Sequence, residues 1–140
     1  MTQQEIQERN KQIALMLGAE IQNKLKRIYI DKMIDNESTF HNMSVDLNTY
    51  EWNGTKNIHY IPFDMLQFHS DWNWLMEAVE FIDKLNNYFI QIEEKSCYVY
   101  DISKFDNSQT NAFIIKDGKT KKEAVFIAVS DFAKLYNNKQ

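Results

Sequence analysis

The chain has 140 residues, 44% hydrophobic, 26% charged and 14% aromatic, with one cysteine and a formal net charge of −4. That is the composition of one globular domain large enough for a real core, and the lone Cys97 excludes an internal disulfide or a zinc site needing two thiolates. The acidic balance is a poor fit to a protein that grips duplex nucleic acid by its phosphates, and no apolar run approaches the ~18 residues of a membrane span.

In chain order, the first predicted element is a helix from about Thr2 to Leu17. Ile6, Asn10, Ile13, Ala14 and Leu17 recur there at helical spacing, and Gly18 stands where a C-terminal cap belongs. Residues 24–68 then lack a clean period. Leu25 to Ile30 and Ile58 to Ile61 each suit a short strand, and Asn53-Gly54 suits a turn after Tyr50 and Trp52. A strong helix follows, with Ser70 as its cap, Asp71 complementing the dipole, and Trp72, Leu75, Met76, Val79, Ile82 and Leu85 on one apolar face.

Beyond Asn86 and Asn87 the period changes to two. Tyr88 to Glu93 and Cys97 to Ile102 alternate on either side of Glu94-Lys95-Ser96, which predicts a hairpin. Phe113 to Lys116 reads as a third strand and leads through Asp117-Gly118 into a last helix. That helix opens on a capping box of Thr120 and Glu123, and presents Val125, Ala128, Val129, Phe132, Leu135 and Tyr136. No repeat or Pro/Gly/Ser-rich linker divides the chain. The expectation is a single α+β domain over 1–140: an antiparallel sheet of three to four strands packed with two or three helices as a sandwich.

The run His69-Ser70-Asp71-Trp72-Asn73-Trp74-Leu75-Met76 into Val79-Glu80-Phe81-Ile82 resembles the central helix of small bacteriophage and prophage proteins of the phage ABA sandwich domain type. Lys121 to Val125 through Leu135-Tyr136-Asn137 resembles their last helix, and Asn10 to Ala14 through Gly18 their opening segment. The resemblance implies a sheet between helices and a viral or prophage setting, hence the cytoplasm of a bacterial host. It implies no mechanism, and the middle of the chain, 24–68, departs from it.

The chemically suggestive residues have bland explanations beside them. Gly118-Lys119-Thr120 looks like the end of a phosphate-binding loop, but the glycine required five positions earlier is Phe113. His59, His69, Asp64 and Asp71 include nitrogen and oxygen donors, yet no helical histidine pair fixes them on one face. Cys97 at a strand start among apolar neighbours reads as an inert core thiol. The pairs Glu77/Glu80 and Glu93/Glu94 suit an exposed helix face and a turn. No catalytic or metal-ligating residue and no cofactor is therefore assigned, and the chain is read as a non-enzyme.

Aromatic and basic residues carry the binding expectations. Trp72 and Trp74 are two apart on a helix, so if Trp72 is core then Trp74 is exposed beside His69 as an anchor; packing back onto Phe68 or His69 is the alternative. Tyr98 and Tyr100 share one strand face and could stack on a base; a helix covering that face, which would make them core, is the alternative. Charge is uneven: 71–106 holds three lysines against eight carboxylates, and 107–140 six lysines against three. The leading expectation is a phage accessory protein that binds a host protein. The second is a small-molecule binder that sequesters a nucleotide-type signal, with Trp74, Tyr98 or Tyr100 on the base and Lys119, Lys121 or Lys122 on phosphate. Pairing of two copies through an exposed sheet edge, giving a homo-oligomer, is left open.

Overall fold

The computed structural model describes residues 1–30, 48–52, 56–104 and 112–139. Helix α1 spans Gln3–Met16 and begins where Thr2 Oγ1 accepts from the Glu5 N–H at 3.1 Å. Asn10, Ile13, Ala14 and Met16 are its buried residues. Gly18, at φ 104°, ends it as expected: the left-handed turn lets the Ala19 N–H reach the Ala14 carbonyl at 3.0 Å, a conformation that a Cβ would oppose.

Four strands follow: β1 (Glu20–Gln22), β2 (Arg27–Tyr29), β3 (Asn48–Trp52) and β4 (Lys56–Pro62). They form one antiparallel sheet in the order β1-β2-β4-β3. The anticipated strands at 25–30 and 58–61 overlap β2 and β4, the first shortened because Leu25 and Lys26 lie in the turn before it, with Lys26 at φ 49°; β1 was not anticipated. The proposed Asn53-Gly54 turn lies outside the described residues. A short 3-10 turn, Phe63–Met65, begins with the Phe63 N–H donating to the Lys26 carbonyl at 2.9 Å, and leads the chain back towards α1.

Helix α2 spans Trp72–Lys84. Its cap is Asp71 rather than Ser70: Asp71 Oδ1 accepts from Asn73 N–H at 2.8 Å and Trp74 N–H at 3.4 Å, so the carboxylate both caps the helix and complements its dipole. The buried face is also rotated from the expected one. Trp74, Leu75, Ala78, Val79 and Ile82 are buried, while Trp72 and Met76 stand at the surface.

Three further strands, β5 (Tyr88–Ile92), β6 (Ser96–Asp101) and β7 (Ile114–Asp117), form a second antiparallel sheet in the order β5-β6-β7. The chain thus folds its strands into two sheets where one was expected, within the α+β class that the sequence indicated. Helix α3, Lys121–Asn138, is capped by Thr120, whose Oγ1 accepts from Glu123 N–H at 3.1 Å. Glu123 reaches back to the Lys119 N–H at 3.2 Å, one residue before the position of a standard capping box.

Helix α3 is buried on more than one side. Val125, Ala128, Val129 and Phe132 are inside as expected, but so are Ala124, Phe126, Ser130 and Ala133, while Leu135 is exposed. The reason is its place between α1 and the second sheet. Arg9 of α1 and Lys116 of β7 meet the two carboxylate oxygens of Asp131, at 2.7 and 3.1 Å. Asn137 closes the other end of the α1–α3 contact by donating to Gln12 at 3.0 and 2.9 Å. One cluster of buried side chains joins Ile13 of α1, Ile28 and Ile61 of the first sheet, Trp74 and Ile82 of α2, Cys97 and Val99 of β6, and the apolar residues of α3. Among the described residues no helix is long and apolar enough to cross a membrane.

Candidate functional site

The β5–β6 and β6–β7 registers place Phe89 opposite Tyr100, Gln91 opposite Tyr98, and Tyr98 opposite Ile115. Strand side chains alternate, so these five residues share one face, and Ile90, Ile92, Cys97, Val99 and Ile114 share the other. The second set turns inward towards α3, where Cys97 and Val99 are completely buried. The first set turns outward. Phe89 is 50% exposed and Ile115 57%, with Tyr98 and Tyr100 half-buried between them.

The outward face is ordered by its own contacts. The Phe89 and Tyr100 rings lie 5.8 Å apart, and the Tyr100 hydroxyl donates to Gln91 Oε1 at 3.0 Å. Gln91 Nε2 in turn donates to Glu93 at 3.1 Å. At the turn end the apolar surface gives way to the exposed carboxylates Glu93 and Asp117, the second accepting from Ser96 Oγ at 2.6 Å. The face is therefore apolar and aromatic at its centre and negative at one end. It can take an aliphatic or aromatic partner chain and favour cationic groups beside it, by contact with the rings and by charge.

The predicted site residues fall into separate places. Tyr98 and Tyr100 lie on the outward face. Trp74 is not a surface anchor, which corrects its place among the binding residues, and it follows instead the alternative of packing back onto Phe68. It is fully buried and meets Phe68 edge to face, with ring centroids 5.0 Å apart, because α2 directs its 74/78 edge as well as its 75/79/82 edge into the core. Trp72 takes the partly exposed position instead.

His69 and Lys122 are brought together at the start of α2 and α3. Lys122 Nζ donates to the Ser70 carbonyl at 2.9 Å, and burial, helped by the Lys122 charge, holds the His69 pKa below its ordinary value. His69 Nδ1 lies 2.9 Å from Asn10 Nδ2, which also donates to the Leu66 carbonyl at 3.2 Å. Lys119 and Lys121 are exposed at the α3 N-terminus. These lysines stand on the helix side of the second sheet and the tyrosines on its opposite face, so the residues expected to hold base and phosphate together do not converge.

Cys97 behaves as an interior thiol, its pKa pushed up to about 11 by burial. Among the described residues no group of three or more histidine, cysteine or carboxylate side chains is placed to hold a metal. The side chain of His59 lies outside the described residues. Phe89 and Ile115 were missed as site residues, although the two-residue period that pairs Tyr98 with Tyr100 would have drawn in Phe89 once the hairpin register was known. No family model, curated protein or solved structure matches the chain.

Proposed function

We propose that this chain is a non-enzymatic binding protein of a phage or prophage that acts in the bacterial host cytoplasm and docks a host protein on the outward face of β5-β6-β7. The observation that carries the reading is the row of Phe89, Tyr98, Tyr100 and Ile115, two of them at least half exposed, on a sheet whose opposite face already supplies the core. Exposed apolar residues gathered on one face are the exception for a soluble chain, and they gain by removal from water. Glu93 and Asp117 beside them select the partner's chemistry: a basic surface with arginine or lysine next to apolar side chains. The phage setting rests on the helix patterns at 10–18, 69–82 and 121–137. The nucleotide-type alternative has less support, since Trp74 is interior and the tyrosines are separated from Lys121 and Lys122 by the sheet.

The test is a comparison of the wild-type chain with a Phe89→Ser/Ile115→Ser double variant in pull-downs from the bacterial host, alongside thermal unfolding of both. A host protein retained by the wild type, weakened by added salt and lost with the variant at unchanged stability, supports the reading. Equal retention by both proteins removes the outward face from consideration.

A further inference from the structure

Strand β7 forms one edge of the second sheet, and its pairing pattern shows which of its backbone groups are free. The Gly118 N–H donates to the Lys95 carbonyl at 3.0 Å. In an antiparallel ladder every second residue bonds to the neighbouring strand, so the β6–β7 register next bonds Lys116 to Cys97. Phe113 also turns its N–H inward, to the Val99 carbonyl at 2.9 Å. The N–H and C=O groups of Ile115 and Asp117 point the other way, and among the described residues no strand pairs with them.

An open groove of about 540 Å³ lies between β7 and the second half of α3. Ile114 from the α3 side of the strand and Ile115 from its outward side both line it, so the groove opens along the edge itself. Phe113, Ile115 and Leu135 expose apolar surface there. Edge strands are commonly guarded against strand addition by a proline or an outstretched lysine. Strand β7 contains no proline, and its one lysine, Lys116, is held by Asp131 at 3.1 Å on the α3 side.

Charge selects the occupant. Asp131 is neutralised by Arg9 and Lys116 together. Lys134, exposed on the groove wall, has no ion-pair partner among the described residues. The α3 side of the groove is therefore positive. A second copy of β7 fits it poorly, because opposed residues in an antiparallel pair share a face and the incoming Lys116 would arrive on that same positive side.

We propose that the partner is held here by an extended segment that adds to β7 as a fourth strand of the second sheet, bonding to the Ile115 and Asp117 backbone, with an apolar side chain against Leu135 and an acidic one beside Lys134. This rests on the docking reading above and specifies the form of the partner, since the outward side chains of the added strand extend the row from Phe89 to Ile115. Its two faces differ in charge, basic outward beside Asp117 and acidic inward beside Lys134.

Selection from a random library of displayed peptides of about ten residues on the wild-type chain, followed by titration of the synthesised hits into the ¹⁵N-labelled protein, tests it. The expected hits alternate apolar and polar positions, carry an acidic residue, shift the Ile115 and Asp117 amides and slow their exchange with solvent. Ile115→Pro, which removes an outward N–H without touching the β6 ladder, and Lys134→Glu should each weaken binding at least tenfold. N-methylation of alternate backbone amides in a hit should abolish binding in one phase and spare it in the other, a test of the pairing that leaves the protein unaltered. Absence of enriched peptides, hits indifferent to Lys134→Glu or to N-methylation in either phase, or a wild-type dimer that Ile115→Pro dissolves would each overturn the proposal. Hits lost with Phe89→Ser but indifferent to Ile115→Pro would overturn it while leaving the outward-face reading standing; hits lost with Ile115→Pro but indifferent to Phe89→Ser would do the reverse.

Discussion

Arg9 and Asp131 are 122 residues apart in sequence and 2.7 Å apart in the folded chain. The Arg9 guanidinium also donates to Ser130 Oγ at 2.8 Å, and the second Asp131 oxygen receives Lys116 from β7 at 3.1 Å. One carboxylate therefore ties the first helix, the last helix and the second sheet together. Charged hydrogen bonds of this partly buried kind are worth more than exposed pairs, so Asp131→Asn should cost about 1–2 kcal/mol. Urea unfolding at neutral pH measures it, and an unchanged midpoint would show the two pairs to be energetically idle.

The two neighbouring tryptophans should respond oppositely to truncation. Trp74 fills the core against Phe68, and Trp74→Ala should lose about 3–5 kcal/mol through lost burial and the cavity left behind. Trp72 is 37% exposed, and Trp72→Ala should change stability by no more than about 1 kcal/mol. Thermal unfolding of the two variants side by side decides it; similar losses would mean that the rotated face of α2 is misassigned.

Gly118 is required by a close approach. A Cβ there would stand 2.5 Å from the Ala124 nitrogen and 3.0 Å from Glu123, at the first turn of α3, where the backbone cannot yield cheaply. Gly118→Ala is expected to destabilise by about 1–3 kcal/mol, the range for overpacking. A variant as stable as the wild type in chemical denaturation would contradict this packing.

Asp83 sits in the last turn of α2, where burial and then the Glu80 charge raise its pKa above 3.8. The folded chain therefore holds this proton more tightly than the unfolded one. Stability is lost as pH rises through the interval from 3.8 to the folded value, and the penalty persists at neutral pH. The helix dipole adds to it, since a carboxylate is unfavourable at a C-terminus. Asp83→Asn should raise the melting temperature at pH 7, with the advantage shrinking as pH falls from the folded value to 3.8 and gone below it. A variant that melts lower at pH 7 would refute the assignment.

For His69 the sign is reversed. Its folded pKa lies below 6.5, so on acidification the unfolded chain takes up the proton first, and stability falls as pH drops from 6.5 through the folded value. An NMR titration of the ring should show a midpoint under 6.5, and Lys122→Met should move it partway back, burial being the larger cause. A wild-type midpoint above 6.5 would be incompatible with the buried Asn10–His69 pair.

The helix ends were legible because capping is local. Thr2, Gly18, Thr120 and the α3 start at Lys121 follow from residues within five positions of one another. The second sheet was legible for a similar reason, as alternation over Tyr88 to Asp101 needs only a hairpin to satisfy it. The sorting of two strand sets into separate sheets was not, because β2 pairs with β4 across a long sequence separation that no local pattern records. The rotation of α2 escaped for a related reason. Trp72 and Trp74 are equally apolar, and only the position of Phe68 and α3 chooses which one enters the core.

The candidate sites divide in the same way. Tyr98 and Tyr100 were marked by their period, but whether their face would be covered depended on where the helices came to rest. Asn10 was visible only as a polar letter in an apolar stripe, and its pairing with His69 is a contact across 59 residues. By itself the sequence determined the α+β class, the three helices with most of their caps, and the alternation of the last hairpin, because each is set by interactions among near neighbours. Tertiary structure alone decided which tryptophan is interior, which sheet face is bare, and that Asn10 and His69 meet, because burial depends on what the distant chain brings alongside.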